Sequence, residues 1–519
     1  MRESGGVRLR RGMLLALVFA CGMTGMAVEM AGSRLLAPYF GNSLIVWANL
    51  IGLIMVYLTV GYYLGGWLAD RHPTPIVILR LTSAAALCIA LIPLAARPVL
   101  GFAAAGFTSL RWGLVASSFI GVVALFAAPM VLLGCVSPFA IRLDVRGMHA
   151  AGRVAGGIYG LSTLGSIVGT FLPVFFLIPA IGTRSTFGLL ATLLAALSCL
   201  GLWSALGRRA WPYLLVPLAA LALWWAAAPG RIKPGAGLVY EAESMYNYIQ
   251  VTREGETYFL KLNEGEGNQS VYIPGQVLVN RVFDYFLAAP LFRTSDAPLE
   301  RICIIGLAGG TIARQYTAAY GPLPIDGVEI DPEIAEVGRR YFDMTQPNLA
   351  VHALDGRQFL QLTERRYDVI VVDAYVPPYI PFHLATAEFF AEAAGRLSEG
   401  GVVAVNVGRT ATDRALVEAI ANTMAAAYPA VFVVEARESY NSMVVGASAP
   451  MTLEEVAARL AAARIAGAQS AAEPLLANVA QRMEGRLAAH VATGEALRDD
   501  RAPVEQIVHG MIWRVALGG

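Results

Sequence analysis

Acidic residues are nearly missing from the first 230 positions of this 519-residue chain: Glu3, Glu29, Asp70 and Asp144 are 4 of its 38. The same stretch carries 15 of the 39 basic residues, which leaves 34 acids and 24 basic residues for positions 231–519. A net charge of +1 therefore hides a basic, apolar half and an acidic, ordinary half. Charged residues make up only 15% of the chain and its mean hydropathy is +0.56, which excludes an ordinary soluble protein. No strongly basic patch is present, so nucleic acid is not an expected partner. Cysteine is scarce as well. Cys21, Cys88, Cys135 and Cys199 lie singly in apolar runs and Cys303 in a predicted core strand, so neither a disulfide framework nor a metal site is expected.

What is abundant is apolar sequence in long runs. A membrane-crossing helix needs ~20 mostly apolar residues. Such runs occupy 13–36, 44–69, 76–96, 112–141, 154–179, 185–207 and 211–229, with a shorter one at 98–110. They predict an all-α membrane domain of seven or eight helices over 1–230. The basic N-terminus followed by an apolar run has the form of a signal peptide, but the further runs make it the first crossing. Arg8, Arg10, Arg11, Arg71, Arg142, Arg146, Arg153, Arg208 and Arg209 fall in alternate loops, which puts the N-terminus in the cytoplasm. Keeping the second half there too requires an even number of crossings. Either 98–141 crosses twice or 211–229 lies along the interface, and the apolar length of the last run favours the former. Glu29, with Arg34 nearby, is an intramembrane carboxylate. "GGWLADR" (65–71) weakly resembles the loop between the second and third helices of major facilitator transporters. "GLSTLGSIVGT" (160–170) has small residues at helical spacing, which suits close helix packing.

After "APGRIKPGAG" the pattern changes. "YNYIQVTRE" and "TYFLKLN" alternate like strands and predict a small antiparallel sheet, with a connecting helix, over 238–290. From 291 to 519 strands and helices alternate, as "RICIIGLAGG", "TIARQYTAAY", "PIDGVEID" and "YDVIVVDAY" illustrate. That rhythm predicts a doubly wound, Rossmann-like parallel sheet with ligands at the carboxyl ends of its strands.

Three sites on that edge point to a nucleoside. Gly306, Gly309 and Gly310 form a turn that lets backbone approach a ligand. Glu329 ends the next strand, 23 residues after Gly306, where an acid accepts ribose hydroxyls. Asp355 and Gly356 follow the third strand, where an acid accepts an adenine amino group. The turn "GLAGGT" has no P-loop lysine and no basic residue ready for a pyrophosphate. An S-adenosyl sulfonium fits this better than a dinucleotide. "DAYVPPY" (373–379) puts Asp373 at the end of a buried strand, as a candidate acid–base residue with no second acid beside it.

Residues 240–446 resemble the spermidine synthase (polyamine aminopropyltransferase) family, in the subgroup fused to an N-terminal membrane domain. The stretches that carry the resemblance are "YNYIQV", "LNEGEGNQSVY", "IIGLAGGT", "VEID", "DGRQFL", "YDVIVVDAY" and "ATAEFF", with "DDRAPVE" (499–505) as a closing motif. The resemblance implies Glu329 on ribose, Asp355 on adenine, Asn247 and Gln269 on the cofactor side, and Asp373 as the catalytic base. It also implies decarboxylated S-adenosylmethionine as donor of an aminopropyl group to an amine. The sequence departs from that family in three places. Ala308 stands where an Asp usually holds the donor's amino end, Val376 stands where a second Asp grips the acceptor, and "ESYNSMVVGA" replaces a P-T-Y-x-x-G-x-W segment. Acceptor contacts are therefore expected from Tyr375, with the missing charge drawn from Asp284, Asp499, Asp500 or Glu505. The expected partners are a small amine acceptor and the lipid bilayer, with homodimerisation open. Two other readings stand beside this one: methyl transfer from S-adenosylmethionine to an amine or lipid, and a nucleoside sensor gating transport.

Overall fold

The computed structural model describes residues 9–516 except 42–43, 107–112, 146–150, 228–231, 234, 264–266, 376–378 and 463–471. Val376 and two of the arginines used above, Arg8 and Arg146, lie outside the described residues. The chain forms two compact units, Met1–Pro234 with Glu243–Tyr248, and Gly235–Ala242 with Ile249–Gly519.

The first unit is helical. It comprises α1 (Arg11–Phe40), α2 (Leu44–Arg71), α3 (Pro75–Gly106), α4 (Gly113–Gly134), α5 (Val136–Asp144), α6 (Ala151–Leu172), α7 (Ile178–Leu206) and α8 (Leu215–Ala227). A π-helical turn at Pro173–Leu177 leads into α7, and a 3-10 segment at Gly207–Leu214 leads into α8. By length and hydropathy, five stretches qualify as membrane crossings; the last, Ala151–Ala227, is 77 residues long and contains α6, α7 and α8. Small residues set the α1–α6 contact. A Cβ on Gly165 would sit 2.2 Å from the Phe19 carbonyl oxygen, and one on Gly169 would sit 2.1 Å from that of Met23. Two backbones come this close only where side chains are absent. Glu29 is buried in α1, and among the described residues no ion pair forms with it.

Two expectations need correction here. Within the run 98–110, residues 98–106 continue α3 past Arg97 rather than start a separate crossing, and 107–110 lie outside the described residues. "GGWLADR" is no loop either, because it is the last two turns of α2, with Gly65 packed on the Cys135 backbone.

The second unit has two sheets. The smaller is an antiparallel meander of β1 (Leu238–Glu243), β2 (Tyr248–Glu254), β3 (Thr257–Leu262) and β4 (Asn268–Tyr272). A 3-10 helix, Val282–Phe292, connects it to the larger sheet. The larger sheet is built from β5 (Ile302–Ile305), β6 (Ile325–Val328), β7 (Leu349–His352), β8 (Tyr367–Val372), β9 (Leu397–Gly408), β10 (Ala430–Glu435), β11 (Asn441–Ala447) and β12 (Leu487–Ala489). Its order is β12-β10-β11-β9-β8-β5-β6-β7. The five strands from β9 to β7 are parallel, and β11, β10 and β12 add antiparallel pairs.

The helices between these strands are α9 (Thr311–Tyr320), α10 (Pro332–Tyr341), α11 (Gly356–Leu362), α12 (Ala387–Ala394) and α13 (Ala415–Met424). Three more follow: α14 (Leu453–Ala462), α15 (Ala472–Met483) and α16 (Val504–Ala516). Alternate residues of β5 feed opposite cores. Ile302 and Ile304 pack with Phe286 and Tyr316, while Cys303 and Ile305 pack with Phe389 and Phe390. A sheet buried on both faces needs near-continuous apolar strands, which is why "ICII" and "YDVIVV" show no alternation.

Candidate active site

The strand order reverses between β5 and β8. From β5 the chain moves outward through β6 to β7, and then returns to β8 and β9 on the other side. At such a switch point the segments leaving neighbouring strands part and open a crevice. Gly306 leaves β5 with φ +84, and a Cβ there would lie 2.5 Å from both the Asp373 carbonyl oxygen and the Ala374 nitrogen. Close passage of the Asp373 segment therefore explains this glycine, as much as any ligand would. The Asp373 N–H in turn donates to the Ile305 carbonyl at 2.8 Å.

The rest of the turn is held from several sides. Gly309 N–H donates to Ser270 Oγ of β4 at 2.9 Å, so Ser270, the neighbour of Gln269, makes this contact. Gly310 N-caps α9 with φ +80. Ala308 adopts φ +48, a left-handed conformation costing a non-glycine residue about 1–2 kcal/mol. Its N–H is thereby aimed at Glu329 Oε2, 2.9 Å away. Asn247 lies between β1 and β2, in the Glu243–Tyr248 segment of the other unit, where its N–H donates to Ser244 Oγ.

Glu329 is buried at the end of β6, and its Oε1 accepts from the Asp331 N–H at 3.2 Å. Both carboxylate oxygens thus accept from backbone N–H groups, with Ile330 contributing as well. Burial pushes its pKa up to about 7, opposed by the Ala308 and Asp331 donors. Asp355 is set differently. It N-caps α11, its Oδ1 accepting from Arg357 and Gln358 N–H at 2.9 and 3.1 Å, while Oδ2 meets His383 Nε2 at 2.8 Å. The His383 contact holds its carboxyl below the usual range. Gly356 lets α11 start against β5, since a Cβ there would lie 2.2 Å from Ile305 Cγ2.

On the other side of the switch point stands Asp373. Burial pushes its pKa up to about 7, and a hydrogen bond from Asn406 Nδ2 to Oδ1 (2.7 Å) pulls it down. Asn406 comes from β9 and is itself held, its Oδ1 accepting from Asn441 Nδ2 at 3.0 Å. That contact orients the amide so that its NH2 faces Asp373. Neither asparagine was foreseen from sequence. The available signal was a lone polar residue inside "GVVAVNVG", a strand buried along most of its length.

Tyr375 does not meet its expectation through its hydroxyl. That group donates to the Asn406 carbonyl (3.1 Å) and accepts from Gly408 N–H (2.9 Å), which pins the loop to β9. Asp284 is a clearer correction. It is fully buried, accepts from Val279 and Asn280 N–H and from Gln315, and pairs with Arg482 at 2.8 Å. Its charge is consumed inside the fold. Asp499 is consumed likewise, in a two-pronged pair with Arg357 and a bond from Thr386. Asp500 is exposed, as a solvated loop residue would be. Glu505 lies in the first turn of α16. Among the described residues no group of three or more His, Cys, Asp or Glu could hold a metal ion.

Comparison with known proteins agrees with this geometry. Residues 290–451 match the spermine/spermidine synthase domain. A probable polyamine aminopropyl transferase of Bifidobacterium longum is 34% identical over 213 residues, 41% of this chain and 45% of that protein. The polyamine aminopropyltransferase of Vibrio vulnificus is 34% identical over 183 residues, 33% of this chain and 60% of the relative. Both matches leave a large part of the relative uncovered. Polyamine aminopropyltransferase 2 of Aquifex aeolicus is 22% identical over 465 residues, which span 84% of this chain and 88% of that one.

Proposed function

We propose that this chain, which carries a spermine/spermidine synthase domain, is a membrane-bound aminopropyltransferase that uses decarboxylated S-adenosylmethionine and an amine acceptor. The observation that carries the reading is the pair of carboxylates flanking the switch point. Glu329, a carboxylate held at a strand end by backbone donors, suits a ribose diol, and Asp373 suits a proton to be removed. Asp355, ionised and fixed at the start of α11, suits the adenine amino group.

In the proposed step the acceptor nitrogen attacks the methylene carbon bonded to the sulfonium sulfur. The carbon–sulfur bond breaks, its electron pair stays on sulfur, and methylthioadenosine leaves as a neutral thioether. The surplus proton on nitrogen passes to Asp373. Asn406 steadies Asp373 in its ionised form, and a neighbouring sulfonium charge favours the same form. Incubation of the detergent-solubilised protein with each sulfonium donor and a panel of diamines, followed by mass spectrometry, tests this. Methylthioadenosine and an acceptor heavier by one aminopropyl group are expected. A methylated acceptor with S-adenosylhomocysteine would replace the reading with methyl transfer.

The helix lengths support a cytoplasmic second unit. The described residues hold six helices of 22 residues or more: α1, α2, α3, α4, α6 and α7. The described part of α8 holds 13 residues, a rise of ~20 Å against the ~30 Å hydrocarbon core. Six crossings return the chain to its starting side, with 211–229 along the interface. A reporter that works only in the cytoplasm, fused after Gly519, should therefore be active; activity of an export-dependent reporter there would overturn this topology.

A further inference from the structure

Asp355 belongs to a closed ring of hydrogen bonds. Arg357 N–H donates to Asp355 Oδ1 at 2.9 Å, and Arg357 Nη1 donates to the His383 carbonyl at 3.3 Å. His383 Nε2 returns to Asp355 Oδ2 at 2.8 Å. Asp355 is ionised and can only accept, so Nε2 carries the proton of that bond. Gln358 N–H adds a second bond to Oδ1 at 3.1 Å, whereas His383 is the partner of Oδ2 among the described residues. The pair is open to a ligand, because the Asp355 side chain is 30% exposed and that of His383 is 35% exposed.

Arg357 itself is held from every side. A guanidinium has five N–H donors in a planar fork, and here all five are used. Nε and Nη2 reach Glu392 of α12 at 3.0 and 2.7 Å, and Nη1 and Nη2 reach Asp499 at 2.7 and 2.8 Å. The remaining Nη1 donor is the one on the His383 carbonyl. Both acids are braced in turn, Asp499 by Thr386 Oγ at 2.7 Å and Glu392 by Gln361 Nε2 at 3.1 Å. One carboxylate would neutralise the cation. Two, gripping different edges, also fix the plane of the fork, which a lysine ammonium could not satisfy. Asp499 stands 142 residues further along the chain, in the closing motif "DDRAPVE".

We infer that Arg357 is a positioning residue for the nucleobase. It holds His383 against Asp355 Oδ2, which aims that oxygen at the 6-amino group of adenine, and Asp499 of the closing motif is its outer brace. This rests on the assignment of Asp355 to adenine above. A carboxylate that caps a helix through one oxygen can still turn about its Cβ–Cγ bond, whose torsion is soft. The His383 bond stops that turn, and the Arg357 bond to its carbonyl keeps His383 in place.

Calorimetry on the full-length protein with methylthioadenosine and methylthioinosine, in which a carbonyl replaces the amino group, tests this. The wild type should prefer the amino compound. Arg357→Lys keeps the charge but not the fork. It should weaken methylthioadenosine binding about tenfold, as loss of one hydrogen bond to a charged group does, and change methylthioinosine binding by less than about twofold. His383→Leu, at a partly exposed position, should give the same pattern, which also covers failure of the lysine variant to fold. His383→Gln still offers an N–H and should restore most of the preference. Equal losses for both nucleosides would show a merely structural role and overturn the inference. A preference kept intact in Arg357→Lys and His383→Leu would overturn it as well, as would tighter methylthioadenosine binding in His383→Leu, which would make the imidazole a competitor for Oδ2. A wild type that binds both nucleosides equally would instead remove Asp355 from the adenine assignment, and this inference with it.

Discussion

The two sides of the switch point are built in different ways. On the nucleoside side, Gly306, Glu329 and Asp355 each follow a parallel strand, and their polar partners are mostly backbone N–H groups within three residues or one strand away. On the acceptor side, Asp373 depends on Asn406, 33 residues later, which depends on Asn441, 35 residues further on. Tyr379 meets His509, 130 residues away. The first side is a repeated local device, and the second is assembled from remote strands and the C-terminal helix. A ligand common to many sheets can be held by the recurring geometry of strand ends, whereas acceptor chemistry calls for groups that no single loop supplies.

That contrast can be tested by removing one group at a time. The largest effect is expected at Asp373. Asp373→Asn should bind methylthioadenosine nearly as the wild type does, yet lose turnover by roughly 10²–10⁴-fold, the usual range for a general base. Calorimetry and product formation measured on the same preparation would show it, and a variant that keeps most of its turnover would place the base elsewhere. Glu329→Gln should do the reverse. Loss of a charge-assisted pair of bonds should weaken nucleoside binding by about 1.5–3 kcal/mol, and unchanged affinity in a folded variant would end the ribose assignment.

Asn406→Leu should have the smallest effect, and one that depends on pH. Asn406 donates to the ionised carboxylate, so its loss raises the Asp373 pKa above about 7. Asp373 must be deprotonated to accept a proton, so the rising limb of the kcat/KM profile should move to higher pH. At pH 7, close to the starting pKa, a one-unit shift should lower the rate by about fivefold, approaching tenfold at lower pH. The deficit should close as pH rises past the new pKa, and a deficit of equal size at all pH values would show that Asn406 is merely structural.

The apolar runs of the first 230 residues made the helical unit legible, because a long uncharged segment has few other stable states. The strand–helix rhythm after 291 made the doubly wound sheet legible, and with it Glu329, Asp355 and Asp373, since strand ends recur at a regular spacing. Hydropathy could not say that α3 runs on through 98–106 or that a 3-10 segment leads into α8. Helix ends depend on caps and neighbours as well as on apolar content. Nor could the sequence tell apart Asp284, Asp499, Asp500 and Glu505, four acids near apolar segments with similar local surroundings. Only the fold separates them, by giving Arg482 to the first and Arg357 to the second, water to the third, and His509 as an electrostatic neighbour to the last. The charge available to a ligand is what remains after burial and long-range pairing, and both are properties of the packed chain.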